Sequence, residues 1–491
     1  MPVEIVNTIS SNLQANDHPY LNGPWTPQLQ EVNASGLEVI GTIPADLNGV
    51  YLRNTENQIQ QPIGRYHPFE GDGMLHMMRF RNGQVEYRNR AVRSAAFVEE
   101  QAAGRALWAG LMEAPAKSQR PGIGPSGHLK DASSTDVVVH AGLALSTFYQ
   151  CGQAYQLDPC TLEDLGPAPW APQQGVSAHC KTDPHTGQLL FFNYGNDYPY
   201  LHYGALNAQR ELLYYHGLPL PGPRSPHDFA FTTNYLIFND FPFLPDEQAQ
   251  AEGRHVMRFA PHMPARFAIV PRHGGPEAVR WFEASSTYVL HFLNAWEEGD
   301  QIVLDGYYQE EPMPRQASPA AMRVAPGYQR MMAFLDQHAF RPHLHRWRFD
   351  LKTGVCTEEA LSHHLLEFGT INPQRLGLPY RYAYSAIPTP GWFLFSGLMK
   401  QDLSDGGTQE YLFGEGRFGS ESPFAPRDGA VDEDDGYLVS FVTDAYAARS
   451  ECVVLDAKNI AAGPVCRIIL PHQICSGTHA CWASEAELQK T

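Results

Sequence analysis

Four of the 21 histidines lie in sequence settings where an imidazole would be buried. Each enters or occupies an apolar or aromatic run typical of a strand, where both ring nitrogens need a partner. A single histidine of this kind is more often an ordinary core residue than a ligand. Four neutral imidazoles brought together, with no cysteine or carboxylate among them, would suit divalent iron, copper or zinc. The four are His179, His227, His291 and His479.

The strands that would carry these histidines follow a repeated local pattern. Alternating apolar residues, a turn centred on Asp and a new strand recur at 155–166, 180–192, 345–356 and 451–470. Asp hydrogen-bonds its own backbone and Gly accepts positive φ, so such turns form readily. The separation of His179 from His227 matches the roughly 40–50-residue repeat of a propeller blade. The pattern predicts an all-β fold, with a β-propeller favoured over a sandwich at this length.

One segment, at about 97–115, breaks the strand pattern inside an otherwise single domain spanning residues 1–491. It is alanine-rich and predicts a helix with an apolar side. One interpretation packs this side on the β-body. The other makes it an apolar lid that contacts a membrane surface beside a substrate entrance. The apolar side carries Leu107, Trp108, Leu111 and Met112.

Composition excludes several classes of protein. The chain has 491 residues with 35 Lys and Arg against 53 Asp and Glu, a net charge of −18, which argues against a nucleic-acid partner. Hydrophobic residues at 43% and charged residues at 18% indicate a large core rather than disorder. The eight cysteines form no Cys-x-x-Cys pair, and neither a secretory signal nor an apolar stretch of membrane-spanning length is present. We expect a cytoplasmic protein, associated with a membrane surface only if the lid interpretation holds.

Several segments, in order along nearly the whole chain, resemble the carotenoid cleavage oxygenase family, which includes stilbene-cleaving and isoeugenol-type oxygenases and the retinoid isomerase of the eye. The matching segments are GTIPADLNGVYLRN (41–54), HPFEGDGMLHMMRFRNGQVEYRNRAVRS (67–94), SAHCKTDPHTG (177–187), HDFAFTTNYLIF (227–238), HFLNAWEEGDQIVLD (291–305), RYAY (381–384), ESPFAPRDGAVDEDDGYLVSFV (421–442) and LPHQICSGTHACW (470–482).

The resemblance implies a seven-bladed β-propeller with a dome of loops and helices over one face. It implies one Fe²⁺ per chain held by the four histidines, dioxygen as co-substrate and no organic cofactor. Family members place carboxylates behind three of the imidazoles. By position these correspond to Glu367 behind His291 and Glu421 behind His479, where each would fix the imidazole tautomer and strengthen the ligand.

The third carboxylate of the family pattern is missing from this sequence. The segment STFYQCGQAYQLDP (146–159) places Tyr149 or Gln150 where the family has Glu. A neutral amide or phenol could accept the His227 N–H but adds no charge, so we expect iron that is less electron-rich and His227 less rigidly held. Thr135 corresponds to a position that the family often places beside an open iron coordination site.

The implied reaction is oxidative cleavage of a conjugated carbon–carbon double bond to two carbonyl products. Stilbene-cleaving members grip a phenol with Tyr and Lys, whereas residues 144–155 contain no lysine and the matching aromatic residue, Phe97, has no hydroxyl. A carotenoid or apocarotenoid is therefore favoured as a small apolar substrate, with Phe97 lining its tunnel. The alternatives are a stilbene or phenylpropanoid substrate, a polyene isomerase and a non-catalytic scaffold.

Overall fold

The strands of this computed structural model form a ring of seven sheets, which we number as blades 1 to 7 along the chain. The structure describes residues 2–122, 129–251, 256–315, 318–320 and 326–489. Neighbouring strands within each blade are antiparallel, as the Asp- and Gly-rich turns predicted. The predicted seven-bladed β-propeller is confirmed.

Blades 1 to 4 span the first half of the chain and take one strand from its far end. Blade 1 contains β1 (Val3–Thr8), β2 (Gln30–Ser35), β4 (Gly49–Asn57), β5 (Asp72–Arg81), β6 (Gln84–Ala91) and β34 (Ala480–Ser484). Blade 2 contains β7 (Thr135–His140), β8 (Leu143–Phe148), β9 (Tyr155–Leu157) and β10 (Asp164–Pro167). Blade 3 contains β11 (Lys181–Thr182), β12 (Leu189–Tyr194), β13 (Tyr200–Leu206) and β14 (Leu212–Pro219). Blade 4 contains β15 (Ala230–Phe231), β16 (Tyr235–Asp240), β19 (Ala265–Pro271) and β20 (Arg280–Ala284), with a separate hairpin of β17 (Phe243–Pro245) and β18 (Met257–Phe259).

Blades 5 to 7 complete the ring. Blade 5 contains β21 (Val289–Glu298), β22 (Gln301–Gln309), β23 (Pro342–Asp350) and β24 (Cys356–Ala360). Blade 6 contains β25 (Glu367–Thr370), β26 (Tyr382–Pro388), β27 (Phe395–Asp402) and β28 (Thr408–Leu412). Blade 7 contains β29 (Arg417–Phe418), β30 (Phe424–Pro426), β31 (Gly436–Asp444), β32 (Arg449–Asp456), β33 (Pro464–Ile469) and β3 (Val39–Gly41). The helices are α1 (Ala95–Ala103), α2 (Glu247–Ala251), α3 (Gln329–Ala333), α4 (Gln337–Phe340) and α5 (Glu485–Leu488).

The two ends of the chain close the ring. Strand β34, near the C-terminus, pairs with β4 in blade 1, while β3, near the N-terminus, pairs with β33 in blade 7. Both closures use full backbone hydrogen bonding, so the ring has no open seam between its first and last blades. The arrangement also carries the residues just before β34 to the centre of the molecule.

Burial decreases from the second strand of each blade outwards. Strands β12 and β22 are almost entirely buried, whereas the outermost strands β10 and β28 are mostly exposed. The first strands of neighbouring blades lie against one another, as seen for β7 with β34 and for β21 with β15 and β25. The first strand of a blade is therefore the innermost, and residues at its start face the axis.

The predicted helix at 97–115 is only partly correct, because α1 covers Ala95–Ala103. Its start is fixed by Ser94, whose hydroxyl accepts the Phe97 N–H at 3.1 Å. Its end is fixed by Gly104, which adopts a left-handed φ of 65°. Residues 104–115 contain no α-helical turn, so the predicted apolar face does not form there.

The side chains of Leu107 and Trp108 pack inwards. They are 2% and 4% exposed and form a small buried cluster with Ala96. The Trp108 indole N–H donates to the carbonyl of Pro121 at 2.9 Å. The structure favours packing on the β-body over a membrane-contacting lid at these two residues. Among the described residues, no helix combines the length and apolar character needed to cross a bilayer.

The insertion between β22 and β23 contains two short helices in the part that the structure describes. Helix α3 covers Gln329–Ala333, and its Met331 and Met332 join the largest apolar cluster of the molecule. Helix α4 follows after Asp336, whose carboxylate accepts the backbone N–H of His338 at 3.0 Å. These short helices join the insertions between blades to the propeller core.

Candidate metal centre

Each of the four singled-out histidines sits at or just before the innermost strand of a blade. His179 precedes β11 of blade 3, His227 precedes β15 of blade 4, and His291 lies within β21 of blade 5. His479 immediately precedes β34, which closes blade 1. Because the innermost strands meet at the axis, residues from both ends of the chain converge on one point.

The four imidazoles form one cluster. One ring nitrogen from each histidine lies within 4.8 Å of those of the other three. Ring centroids are 4.5 Å apart for His179 and His479, and 5.2 Å apart for His227 and His291. The side chains of His179 and His479, which are 300 positions apart in the sequence, therefore share one small volume.

Burial keeps three of these imidazoles neutral. It lowers the pKa of His179 and His227 well below the usual value, and that of His291 to about 3, with repulsion from the neighbouring imidazoles adding to the effect. For His479, burial lowers the pKa, but the charge of Glu421 and the hydrogen bond to it outweigh burial and raise it overall. A neutral imidazole presents a lone pair on its unprotonated nitrogen, which is the form that binds metals.

Two of the rings are backed by carboxylates. The Nδ1 atom of His291 lies 2.6 Å from Oε2 of Glu367, at the start of β25. The Nδ1 atom of His479 lies 3.1 Å from Oε2 of Glu421, which also accepts the Ala480 N–H at 2.8 Å. Each carboxylate accepts a hydrogen bond from Nδ1–H and so fixes the tautomer. The lone pair of Nε2 is then available to bind a metal in the cluster.

The other two rings have no such partner. Nδ1 of His179 is 4.0 Å from Oδ2 of Asp136, which instead accepts the backbone N–H of His179 at 2.7 Å. Among the residues that the structure describes, no side chain hydrogen-bonds the ring of His227. The ring of Tyr149 lies beside it, with centroids 6.2 Å apart, but the Tyr149 hydroxyl interacts with the side chain of Gln150. Neither Tyr149 nor Gln150 accepts the His227 N–H, an interaction that the sequence left possible.

The main chain at the cluster is held in unusual conformations. His179 and Phe368 have φ values of 65° and 50°, and Thr135 has 127°, all in the region that favours glycine. Such residues cost of order 1–3 kcal/mol each and persist only where surrounding contacts enforce them. At His179, the hydrogen bond from its N–H to Asp136 supplies such a contact.

Unpaired buried atoms show what the cluster can bind. The Nε2 atoms of His179 and His291 are buried and make no hydrogen bond. The same is true of Oγ1 of Thr135, at the start of β7. Leaving a buried nitrogen unpaired costs free energy, so two such nitrogens in one cluster fit a bound cation. Neutral nitrogen donors suit a divalent transition metal better than Mg²⁺ or Ca²⁺, which prefer oxygen.

Aromatic rings cover part of the cluster. The ring of Phe368 lies 4.6 Å from that of His291 and 4.9 Å from that of His479, and it packs against Phe393 and Phe395. Sequence reasoning missed this wall, although Phe368 directly follows Glu367. Phe97, predicted to line the substrate tunnel, is 5% exposed and packs in a small cluster with Ile9, Ile59, Met74 and Ala91.

Sequence reasoning also missed two aspartates that anchor the main chain. Asp136 follows Thr135, and Asp228 follows His227. The Asp228 carboxylate accepts the N–H of Phe292 at 2.9 Å and lies 2.9 Å from the Lys181 ammonium, so it ties blades 3, 4 and 5 together. Adjacency to a predicted site residue is the one signal in the sequence that could have identified them.

Comparison with known proteins identifies the family. Residues 25–484 match the family model described as retinal pigment epithelial membrane protein. A carotenoid 9,10(9',10')-cleavage dioxygenase 1 of Arabidopsis thaliana is 31% identical over 96% of this chain and 91% of its own length. An isoeugenol monooxygenase of Pseudomonas putida is 30% identical over 95% of this chain and 98% of its own length. The crystal structure of Pseudomonas brassicacearum lignostilbene dioxygenase is similar at a TM-score of 0.83 and 26% identity, covering 96% of this chain and 100% of that one. The chain therefore belongs to the carotenoid cleavage oxygenase family and is an oxidoreductase of that type.

Proposed function

We propose that this protein is an Fe²⁺-dependent dioxygenase that cleaves a conjugated carbon–carbon double bond of a carotenoid or apocarotenoid. The observation that carries the proposal is the cluster of four imidazoles, three buried and that of His227 partly buried, two of them with unpaired Nε2 atoms. The residues that would hold the metal are His179, His227, His291 and His479. Both atoms of dioxygen end in the products, so the alkene and dioxygen give two carbonyl compounds and no other reductant is needed.

When bound, ferrous iron supplies the activation of dioxygen. The protein supplies position, tautomer and a dry environment. Glu367 and Glu421 hold the Nδ1 protons of two ligands, so that these imidazoles present Nε2 in a fixed direction. Phe368 and Phe393 form an apolar wall beside the histidines that excludes water and offers ring faces to a flat, conjugated chain. Thr135 borders the cluster with a free hydroxyl, and we assign it to the side where dioxygen enters.

An aerobic assay with labelled oxygen tests the proposal. Purified protein loaded with Fe²⁺ is incubated under ¹⁸O₂ with a carotenoid and with an apocarotenal, and the carbonyl products are analysed by mass spectrometry. We expect two carbonyl products per alkene, each carrying one ¹⁸O, and no turnover after chelation of the iron. Isomerised substrate without cleavage would support the isomerase alternative, and a protein that retains no iron would support the scaffold alternative.

A phenylpropanoid or stilbene is the second candidate substrate, and two observations favour it. The relatives that act on isoeugenol or lignostilbene, by their names, match this chain over 98–100% of their own length. Moreover, Tyr149 places a phenol next to His227, where it could pair with a hydroxylated ring. Adding isoeugenol and a hydroxystilbene to the same assay separates the two candidates by their kcat/KM values. We expect the carotenoid or apocarotenal to exceed both phenols.

A further inference from the structure

A glutamate that belongs to none of the carboxylate–histidine pairs is buried close to the metal centre. Glu56 is the eighth residue of β4 and is 1% exposed. Its Oε1 lies 2.8 Å from the hydroxyl of Thr478, and its Oε2 has no hydrogen-bond partner. The nearby guanidinium of Arg53 donates instead to the carbonyls of Phe441 and Cys475. A buried carboxylate without a cation partner is rare because burial strongly disfavours its charge.

The hydrogen bonds of Thr478 indicate which form Glu56 takes. The Thr478 hydroxyl oxygen lies 2.8 Å from the Glu56 carboxyl and 3.0 Å from the carbonyl oxygen of Thr135. A hydroxyl has one hydrogen, and a backbone carbonyl has none to offer. If the Thr478 hydroxyl donates to a charged Glu56, its single hydrogen is shared with the Thr135 carbonyl. If Glu56 is protonated and donates to Thr478, each contact is a full hydrogen bond. Burial raises the pKa of Glu56 to about 7, so the protonated acid predominates below pH 7.

This short chain of hydrogen bonds ends at the metal centre. Thr478 directly precedes His479, and the Thr135 carbonyl accepts the His479 N–H at 3.3 Å as well as the Thr478 hydroxyl. Thr135 carries a φ of 127°, a conformation that needs surrounding contacts to hold it. Gly477 packs so tightly on β4 that a Cβ there would come within 2.4 Å of the Asn54 carbonyl oxygen. The segment before His479 is therefore held by the close packing of Gly477 and by this hydrogen-bond network.

We propose that Glu56 is a positioning residue that, as a neutral acid, donates to Thr478 and thereby fixes the Thr135 carbonyl and His479 relative to the other three histidines. The inference rests on the proposed metal function of the cluster. Glu56 contacts none of the four imidazoles through a hydrogen bond and acts only through Thr478. It therefore orders one wall of the site rather than taking part in the reaction.

The test compares variants that keep or remove the hydrogen bond. Glu56→Gln retains a neutral donor of the same shape, Glu56→Met removes it, and Thr478→Val removes the hydroxyl while keeping the β-branched shape. Each variant is loaded with Co²⁺, whose visible spectrum reports ligand geometry, and its Co²⁺ affinity is titrated. We expect Glu56→Gln within about twofold of wild type, whereas Glu56→Met and Thr478→Val lose roughly tenfold in affinity with an altered spectrum. The double variant Glu56→Met/Thr478→Val should be no worse than either single variant.

A matched control separates positioning from stability. Glu31 is also buried at 1% exposure, but it pairs with Arg93 on blade 1, away from the histidines. We expect Glu31→Met to lower the melting temperature without changing the cobalt spectrum. A Glu56→Met variant that melts earlier but keeps the wild-type spectrum and affinity would overturn the positioning role, and additive effects in the double variant would overturn action through Thr478.

A metal-independent measurement tests the protonated form. The difference infrared spectrum at pH 6 between wild type and Glu56→Gln should contain the carbonyl band of one buried carboxylic acid, and its absence would overturn the neutral-donor assignment. This spectrum can be read even if the wild-type protein binds no metal or cleaves no alkene. Failure of the proposed function would appear in the wild-type protein itself, whereas failure of the Glu56 inference would appear as unchanged variants of a metal-binding wild type.

Discussion

The two halves of the histidine cluster are held in different ways. On the side of blades 5, 6, 7 and 1, glutamates at the start of β25 or shortly before β30 reach the imidazole rings of His291 and His479. On the side of blades 2, 3 and 4, aspartates hold the main chain instead. Asp136 accepts the N–H of His179, and Asp228 accepts the N–H of Phe229 in its own segment and that of Phe292 in blade 5.

The difference separates ring orientation from strand position. A carboxylate that accepts the imidazole N–H sets the tautomer and increases the electron density of the ligand. A carboxylate that accepts a backbone N–H fixes only the position of the main chain that carries the ligand. We therefore expect His291 and His479 to control the affinity and electronic character of the metal. The orientation of the His179 and His227 rings should depend more on the rigidity of blades 3 and 4.

Removing a ligand from the carboxylate-backed half should have the largest effect. His291→Ala is expected to abolish metal retention and turnover, because it removes one nitrogen donor and leaves Glu367 buried without its partner. The fold should persist, since propeller stability comes mainly from packing between blades. Metal content of the purified protein and its far-ultraviolet circular dichroism check both expectations.

The matched control for His291→Ala is an exposed histidine on the same blade. His363 lies in the exposed loop after β24, so His363→Ala should keep full metal content and turnover. Equal loss in both variants would show that the effect of His291→Ala is not specific to the cluster, and retained metal in His291→Ala would refute its assignment as a ligand.

Neutralising the glutamates should have the next largest effect. Glu367→Gln and Glu421→Gln each keep the shape but lose the charge that orients the imidazole. We expect a loss of roughly 10–100-fold in metal affinity or activity, the range typical of such outer partners. Asp136→Asn should lose less, because Asp136 binds a backbone N–H that an amide oxygen can also accept. Equal losses for all three variants would remove the distinction between the two halves.

The sequence alone identified the parts of this site that leave a local pattern. The four histidines stood out because each interrupts an apolar strand, and the Asp-centred turns indicated the blades. Glu367 and Glu421 came from the family resemblance and not from spacing, since blade insertions of variable length hide the periodicity. No residue pattern states which blades meet at the axis, because that depends on closure of the ring by β34 and β3.

The errors of sequence reasoning also have physical causes. The helix at 97–115 was predicted too long because the alanine-rich composition continues past Gly104, while the left-handed φ of that glycine ends α1. Glu56 was overlooked because the polar run RNTEN is usually read as solvent-facing. All nine residues of β4 are in fact buried, because β34 and β5 cover the strand on both edges. Burial of a polar run is set by tertiary packing, which the local sequence does not encode.

Restoring a carboxylate behind His227 should sharpen the comparison. Gln150→Glu introduces a negative charge next to Tyr149, in the half that lacks a ring-bound carboxylate. We expect metal affinity to rise by up to about tenfold as the new carboxylate accepts the His227 N–H. Titration with Fe²⁺ under anaerobic conditions measures the change. Gln209→Glu adds the same charge in an exposed loop and should change nothing, so a similar rise there would point to net charge as the cause.

The smallest effect on the metal should come from the backbone anchor of blade 4. Asp228 is 2% exposed and accepts the N–H groups of Phe229 and Phe292 while pairing with Lys181. Asp228→Asn removes the charge and should lower the free energy of unfolding by about 1.5–3 kcal/mol, since hydrogen bonds to charged groups contribute that much. Urea unfolding of the metal-free protein measures this loss. Because Asp228 makes no hydrogen bond to the rings of the four histidines, metal affinity should fall only a fewfold, whereas Glu367→Gln should lower affinity more than stability. A large loss of affinity with unchanged stability would mean that backbone anchors orient ligands as strongly as ring-bound carboxylates do.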